Sequence, residues 1–140
     1  MSDLFGQEHV RRYQETDGVE GHRWREGSSV LLLTTTGRKS GNESTTPLIY
    51  DVDDDDVVVV ASKGGAPRDP GWYRNLSVHP EVGVQIKGDR FRARARTAEG
   101  EERERLWRRM NGVWPHYAEY QERTEREIPV VVLERIYRSD

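Results

Sequence analysis

The sequence contains no cysteine. Disulfide bridges, thiolate metal sites and a catalytic thiol are therefore excluded, and a reducing compartment is the matching expectation. Long apolar runs are missing as well. None approaches the roughly 20 residues that a membrane-spanning helix needs, and the stretch from Met1 to Gly6 has no apolar core for a signal peptide. A cytoplasmic protein is expected, peripheral at most to the inner face of a membrane. Lysine is scarce: of 22 basic residues only Lys39, Lys63 and Lys87 are lysines. The net charge of −3 is too small to define a partner, and it argues against bulk nucleic-acid binding, which calls for a strong basic excess. The four histidines (His9, His22, His79, His116) lack metal-ligand spacing, and no Ser/His/Asp arrangement or convincing carboxylate pair is present. No metal is expected.

Hydrophobic and charged residues each make up 34% of the chain. The apolar residues gather in short β-branched runs, which points to a compact domain with a heavily charged surface rather than to disorder. A length of 140 residues fits one core. Leu4 to Glu15 can form a helix with a sparse apolar face of Leu4, Val10 and Tyr13, and Asp17 to Ser29 is irregular. Val30 to Thr35 is a buried strand. A turn from Gly37 to Asn42 leads to a second strand, Ser44 to Val52, in which Pro47 demands an edge or a bulge. The acidic turn Asp53 to Asp56 joins it to a third, Val57 to Ser62. After a loop from Lys63 to Pro70 come a short helix at Gly71 to Val78 and a hairpin of Glu81–Ile86 and Arg90–Thr97. A helix at Glu99 to Met110 turns Leu106, Trp107 and Met110 inward. A helical segment at Trp114 to Arg123 and a strand at Ile128 to Tyr137 follow. About six strands joined by short turns give a mostly antiparallel sheet, coiled or closed into a small barrel.

Two glycine-flanked basic turns carry the chemistry. Thr36-Gly37-Arg38-Lys39-Ser40-Gly41 leaves the first buried strand, and Ala61-Ser62-Lys63-Gly64-Gly65 leaves the third. Glycine admits positive φ, so main-chain N–H groups can converge on an anion, and the lysines and hydroxyls add charge and hydrogen bonds. Either turn alone is equally an ordinary basic β-turn. Two of them at the ends of strands in one sheet favour a shared phosphate or carboxylate site between Lys39 and Lys63. The helix after Pro70 places Trp72, Asn75 and Leu76 on one side, as core or as a wall of that site. Tyr117 and Tyr120, three residues apart, share a helical face that either packs on the core or roofs a pocket for a flat ligand. Arg90, Arg92, Arg94 and Arg96 alternate on one strand, a solvated face paired with glutamates. The acidic run at Asp53 to Asp56 is an exposed turn rather than a cation site.

The runs Leu33 to Gly41, Thr46-Pro47-Leu48, Ala61 to Gly65, Trp72 to Leu76, His79 to Val82, Tyr117 to Gln121 and Ile128 to Leu133 together resemble the deazaflavin-dependent nitroreductase and quinone reductase family. The resemblance spans roughly Val30 to Leu133. It implies a mainly β (α+β) split β-barrel, similar to FMN-binding barrels, with peripheral helices. Residues 1–29 would be an N-terminal helix and irregular lead-in, and residues 30–140 the deazaflavin-binding domain. It implies coenzyme F(420), an 8-hydroxy-5-deazaflavin, as hydride donor, and a quinone, nitro compound or other electron-poor small molecule as acceptor.

Carried over by position, Thr36, Arg38, Lys39, Ser40, Ala61, Ser62, Lys63, Gly64, Gly65, Trp72 and Asn75 would bind the cofactor. Ile49, Trp114, Tyr117 and Tyr120 would bind the substrate, with Tyr117 and Tyr120 as the catalytic pair. Departures fall mostly on the substrate side. Ile49 and Trp114 stand where some members have tyrosine, and Ser44 stands where the family often has arginine. FMN in the same barrel and a non-catalytic F(420) carrier are the other readings. A homodimer is a further expectation.

Overall fold

Successive side chains on a strand point to opposite faces, so a strand that is apolar at every position needs cover on both. Three strands of this chain have that character, and the fold covers them twice. A computed structural model describes residues 4–136. Its elements are α1 (Gly6–Thr16), β1 (Val30–Thr36), β2 (Glu43–Ile49), β3 (Asp51–Asp53), β4 (Asp56–Val60), α2 (Gly71–Val78), β5 (Glu81–Ile86), β6 (Asp89–Thr97), α3 (Gly100–Val113), α4 (His116–Glu122) and β7 (Val130–Arg135). Short 3-10 turns lie at Arg25–Gly27 and Lys63–Gly65. The strands form one antiparallel sheet in the order β2-β1-β5-β6-β7-β4-β3.

The sheet curls around a core that includes Leu31, Leu33, Val57, Val59, Val131 and Leu133. Their neighbours on the same strands point outward under helices. Val58, Val60, Val130 and Val132 lie against Leu106 and Met110 of α3 and Tyr117 of α4. Val30 and Leu32 lie against Val10 and Tyr13 of α1. Tyr13 is fully buried; its hydroxyl donates to the Val30 carbonyl (2.9 Å) and accepts from the Lys87 N–H (2.8 Å). Burial pushes its pKa up to about 12. By contrast β6 alternates: Ala93 and Ala95 face the core, while Arg92 pairs with Glu81 and Arg96 with Glu102 and Glu134. Arg90 finds an aspartate, Asp17, rather than a glutamate.

The architecture is the expected mainly β split barrel with peripheral helices, but the described residues hold seven strands instead of about six. The expected strand from Ser44 to Val52 is two strands. β2 ends at Ile49, Tyr50 breaks the run, and β3 starts at Asp51 on the opposite border of the sheet. Tyr50 is tied at both ends, by its N–H to the Ser29 carbonyl (3.1 Å) and by its hydroxyl to His22 Nε2 (2.9 Å). Pro47 lies on the border strand β2, where its missing N–H disturbs no second ladder. The last strand spans Val130–Arg135; the expected end at Tyr137 lies outside the described residues. The segment before β1, expected to be irregular, carries the Arg25–Gly27 turn and a bridge between Arg23 and Ser29.

Candidate functional site

Four antiparallel steps separate β1 from β4 in the sheet, so the two strands run in the same direction and both basic turns emerge at one rim. In the first turn the Gly37 N–H donates to the Asn42 carbonyl (2.8 Å) and the Gly41 N–H to the Gly37 carbonyl (3.0 Å). A Cβ on Gly37 would come within 2.6 Å of Ser40 Oγ and 3.2 Å of the Asn42 carbonyl oxygen, so a side chain there requires the Ser40 hydroxyl to turn away. Lys39 and Ser40 are exposed and Arg38 is half-buried. Arg38 is anchored on Asn75, which α2 brings to the rim. The hollow so formed, about 330 Å³, is lined by Arg38, Lys39, Ser40, Ser44 and Asn75, with Gly37, Asn42 and the acidic Glu43.

In the second turn Ser62 is right-handed helical, and Lys63, Gly64 and Gly65 are left-handed, with φ of 45°, 62° and 82°. A right-handed residue followed by a left-handed one turns successive peptide N–H groups towards one point, a concavity suited to an anion. Lys63 holds this conformation at a steric cost of about 1 kcal/mol that glycine would not carry. Neither the Lys39 nor the Lys63 ammonium has an ion-pair or hydrogen-bond partner among the described residues.

Between the second turn and the border strand β2 lies a cleft of about 200 Å³, lined by Trp24, Pro47, Ile49, Ser62, Gly64, Trp114, Tyr117 and Tyr120 among others. Tyr117 is buried and its hydroxyl makes no hydrogen bond among the described residues. Burial raises its pKa, so the phenol keeps its proton at neutral pH. Tyr120 stands edge-on to it (6.2 Å between ring centres) and accepts a hydrogen bond from Trp114 Nε1 (3.3 Å). Trp24 stacks on Trp114 at 5.7 Å. Behind Trp24, Pro47 and Ile49 opens an apolar chamber of about 260 Å³, lined also by Phe5, His9, Val30 and Thr46. The flanking His116 bridges Glu119 (2.9 Å) and Glu26 (2.8 Å), and these hydrogen bonds raise its pKa, that to Glu119 most.

The structure thus groups Arg38, Lys39, Ser40 and Asn75 in one hollow. Ser62, Gly64, Ile49, Trp114, Tyr117 and Tyr120 line the neighbouring cleft, with Lys63 exposed beside it. Gly65 is buried against α4. Thr36 lines a different hollow, with His79, Arg92 and Arg94. Ala61 is fully buried and its N–H donates to the Pro129 carbonyl. Trp72 packs on the barrel core and edge-on to Tyr73, and it is not among the cleft-lining residues. Two residues escaped the sequence reading. Trp24 had one signal, an indole amid the polar stretch before β1. Arg126 had none, because its partners are main-chain carbonyls distant in sequence.

Residues 5–135 match the family model described as F(420)H(2)-dependent quinone reductase. The chain belongs to this family. An F(420)H(2)-dependent quinone reductase of Mycobacterium tuberculosis is 44% identical over 77 residues, covering 53% of this chain and 52% of that protein. The chain therefore spans about half the length of the curated relatives it matches. Among solved structures, an F(420)-H2 dependent reductase is 43% identical with a TM-score of 0.70, covering 75% of this chain and 93% of its own. Another, described as a domain-swapped dimer, is 41% identical with a TM-score of 0.73, covering 89% and 96%. These family members share the split barrel.

Proposed function

We propose that this chain is an oxidoreductase that uses reduced F(420) to reduce a flat, electron-poor small molecule, a quinone or a nitro compound, in the cleft under Tyr117 and Tyr120. One observation carries the reading. An aromatic cleft with an unbonded, protonated tyrosine hydroxyl is edged by the turn that bears Lys63, and Lys39 lines a separate hollow on the same rim; neither ammonium has an ion-pair partner among the described residues. That arrangement fits an anionic cofactor with a flat ring. Arg38, Lys39 and Ser40 would hold its charged end from the first turn, and Lys63 with the N–H groups around Gly64 from the second. Asn75 fixes Arg38. When bound, the reduced deazaflavin supplies the hydride.

The protein's own residues bind, orient and protonate. Trp114, Trp24 and Ile49 exclude water from one side of the cleft. Desolvation there strengthens every hydrogen bond a ligand makes. Tyr117 can donate its proton to a developing oxyanion, and Tyr120, oriented by Trp114, can give a second hydrogen bond. The apolar chamber behind Ile49 leaves room for a hydrocarbon substituent on the acceptor. Mixing the purified chain with reduced F(420) and menadione tests the reading. Loss of the reduced-cofactor signal on acceptor addition is expected; no oxidation across a panel of quinones and nitroaromatics overturns it.

Two partner surfaces go with this reading. A second copy of the chain is supported by the 41%-identical structure described as a domain-swapped dimer. Peripheral contact with a membrane is supported by Phe5, 56% exposed at the mouth of the apolar chamber. Sedimentation and vesicle flotation decide them. No helix among the described residues is long and apolar enough to cross a membrane.

A further inference from the structure

Arg126 lies in the connection between α4 and β7, and its side chain is only 14% exposed. Its guanidinium donates to the carbonyls of Ala66 (2.8 Å), Ser62 (2.8 Å) and Ala61 (3.2 Å), and to the Asp69 carboxylate (2.8 Å). These acceptors lie within the second basic turn and in the loop after it. One cation therefore closes the whole loop between β4 and α2. A guanidinium suits this task, because its five donors sit in a fixed planar fork that a lysine ammonium does not reproduce.

The same residue is tied to α4 through its main chain. The Arg126 carbonyl accepts from Gln121 Nε2 (2.7 Å), and Gln121 Oε1 in turn accepts from the Ile128 N–H (2.9 Å). Two further contacts join the loop to that helix. Arg123 lies over the Tyr120 ring (5.5 Å) and reaches the Gly64 carbonyl (3.5 Å), and Gly65 abuts the Tyr120 backbone. The turn that would receive the cofactor's anion and the helix that presents Tyr117 and Tyr120 are thus parts of one hydrogen-bonded body.

We propose that Arg126 is a positioning residue that locks the second basic turn and α4 into one unit, so that occupancy of the anion site and placement of the tyrosine face are energetically coupled. The coupling rests on the reading of the two sites given above, but the lock itself does not. By linkage, cofactor and acceptor must then change each other's affinity by the same factor. The two substitutions that separate the alternatives are Arg126→Gln, which removes the charge and most donors, and Arg126→Lys, which keeps the charge without the fork.

Amide hydrogen exchange of the ligand-free protein is the first arm. In Arg126→Gln, protection is expected to fall together in residues 62–66 and 117–122 while β1, β5 and β6 keep theirs. Faster exchange confined to residues 62–66, with 117–122 unchanged, overturns the lock. The second arm measures F(420) dissociation with and without menadione, and menadione KM against kcat. Arg126→Gln should weaken F(420) binding about tenfold, the scale of a lost charge-assisted hydrogen bond, and should abolish the mutual effect of the two ligands. Arg126→Lys, which lacks the fork, should restore only part of the protection and only part of the affinity. Equal affinity and unchanged coupling in Arg126→Gln overturn the proposal. Failure of the wild-type protein to bind F(420) would count against the function reading alone, because the exchange arm needs no ligand.

Discussion

Asn75 Oδ1 accepts two hydrogen bonds from Arg38, one from its backbone N–H at 3.2 Å and one from its guanidinium at 2.8 Å, while the Asn75 amide nitrogen donates to Thr35 Oγ1 at 3.2 Å. One buried side chain on α2 therefore fixes both the path and the head group of the first basic turn. Replacing it by an apolar residue of similar size strands these donors. Asn75→Leu should cost about 1–3 kcal/mol in urea unfolding, the scale of a buried polar group left without its partner. It should also weaken F(420) binding. An unchanged urea midpoint would show that the turn stands without α2.

Lys39 and Lys63 present the opposite balance. Both are exposed and unpaired among the described residues, so they add little to folding. Lys39→Ala and Lys63→Ala should leave the melting temperature within about 2 °C. Each should weaken F(420) binding about tenfold, and the wild-type affinity should fall as salt is added. Titration of both variants by fluorescence or calorimetry checks this; wild-type affinity in the double variant would move the anion site elsewhere.

Tyr117→Phe removes a hydroxyl that bonds to nothing among the described residues, so its stability should match the wild type. If the hydroxyl protonates the acceptor, kcat should fall by about a hundredfold, the usual yield of a positioned general acid, with KM little changed. Steady-state kinetics with menadione decides, and undiminished kcat would assign the proton to water.

Gly65 has φ of 82°, and a Cβ there would lie 2.5 Å from the Tyr120 carbonyl oxygen. Gly65→Ala combines a left-handed non-glycine residue with a main-chain clash, a loss of about 2 kcal/mol or more. Gly64→Ala meets nothing within 4 Å and pays only the conformational part. The difference between their melting temperatures isolates the cost of pushing α4 away.

His116 gives a pH dependence whose sign is fixed. Hydrogen bonds to Glu119 and then Glu26 raise its pKa in the folded protein above the ordinary value of about 6.5. The contribution of the protonated ring is therefore fully present below that ordinary value and fades as pH rises through the folded one. An NMR titration of the His116 ring should show a midpoint above about 6.5, lowered by Glu119→Gln and by Glu26→Gln. A midpoint at or below the ordinary value would mean that the bridge does not form in solution.

How legible was all this in the sequence? β4, α2 and the β5–β6 hairpin were readable almost to the residue, because each is bounded by a local stop: aspartates, Pro70, Lys87-Gly88. The two basic turns were readable for the same reason. What stayed hidden is what depends on distant partners. The break at Tyr50 has no glycine to announce it; it exists because the chain must cross from one border of the sheet to the other. Trp24 reaches the cleft only because the segment before β1 folds back over it. Helical spacing put Trp72 and Leu76 on one side of α2 as core or as a wall of the site, and both pack on the barrel core, Trp72 remaining half-buried. Arg126 could not be singled out among so many arginines, since nothing local distinguishes the one that is enclosed.

The single-residue break at Tyr50 has a consequence for how the barrel can fail. A curled sheet ordinarily exposes two raw margins, each able to recruit a foreign strand. Here the two margins are consecutive in the chain, so the seam between them is stitched by covalent bonds and its closure requires almost no loop entropy. Opening the barrel at that line requires β2 to leave β1 or the short β3 to leave β4. Proteolytic nicking between Ile49 and Asp51 would convert the seam into two loose hems. Self-association of the nicked protein through those hems, where the intact chain stays dispersed, is the signature to look for.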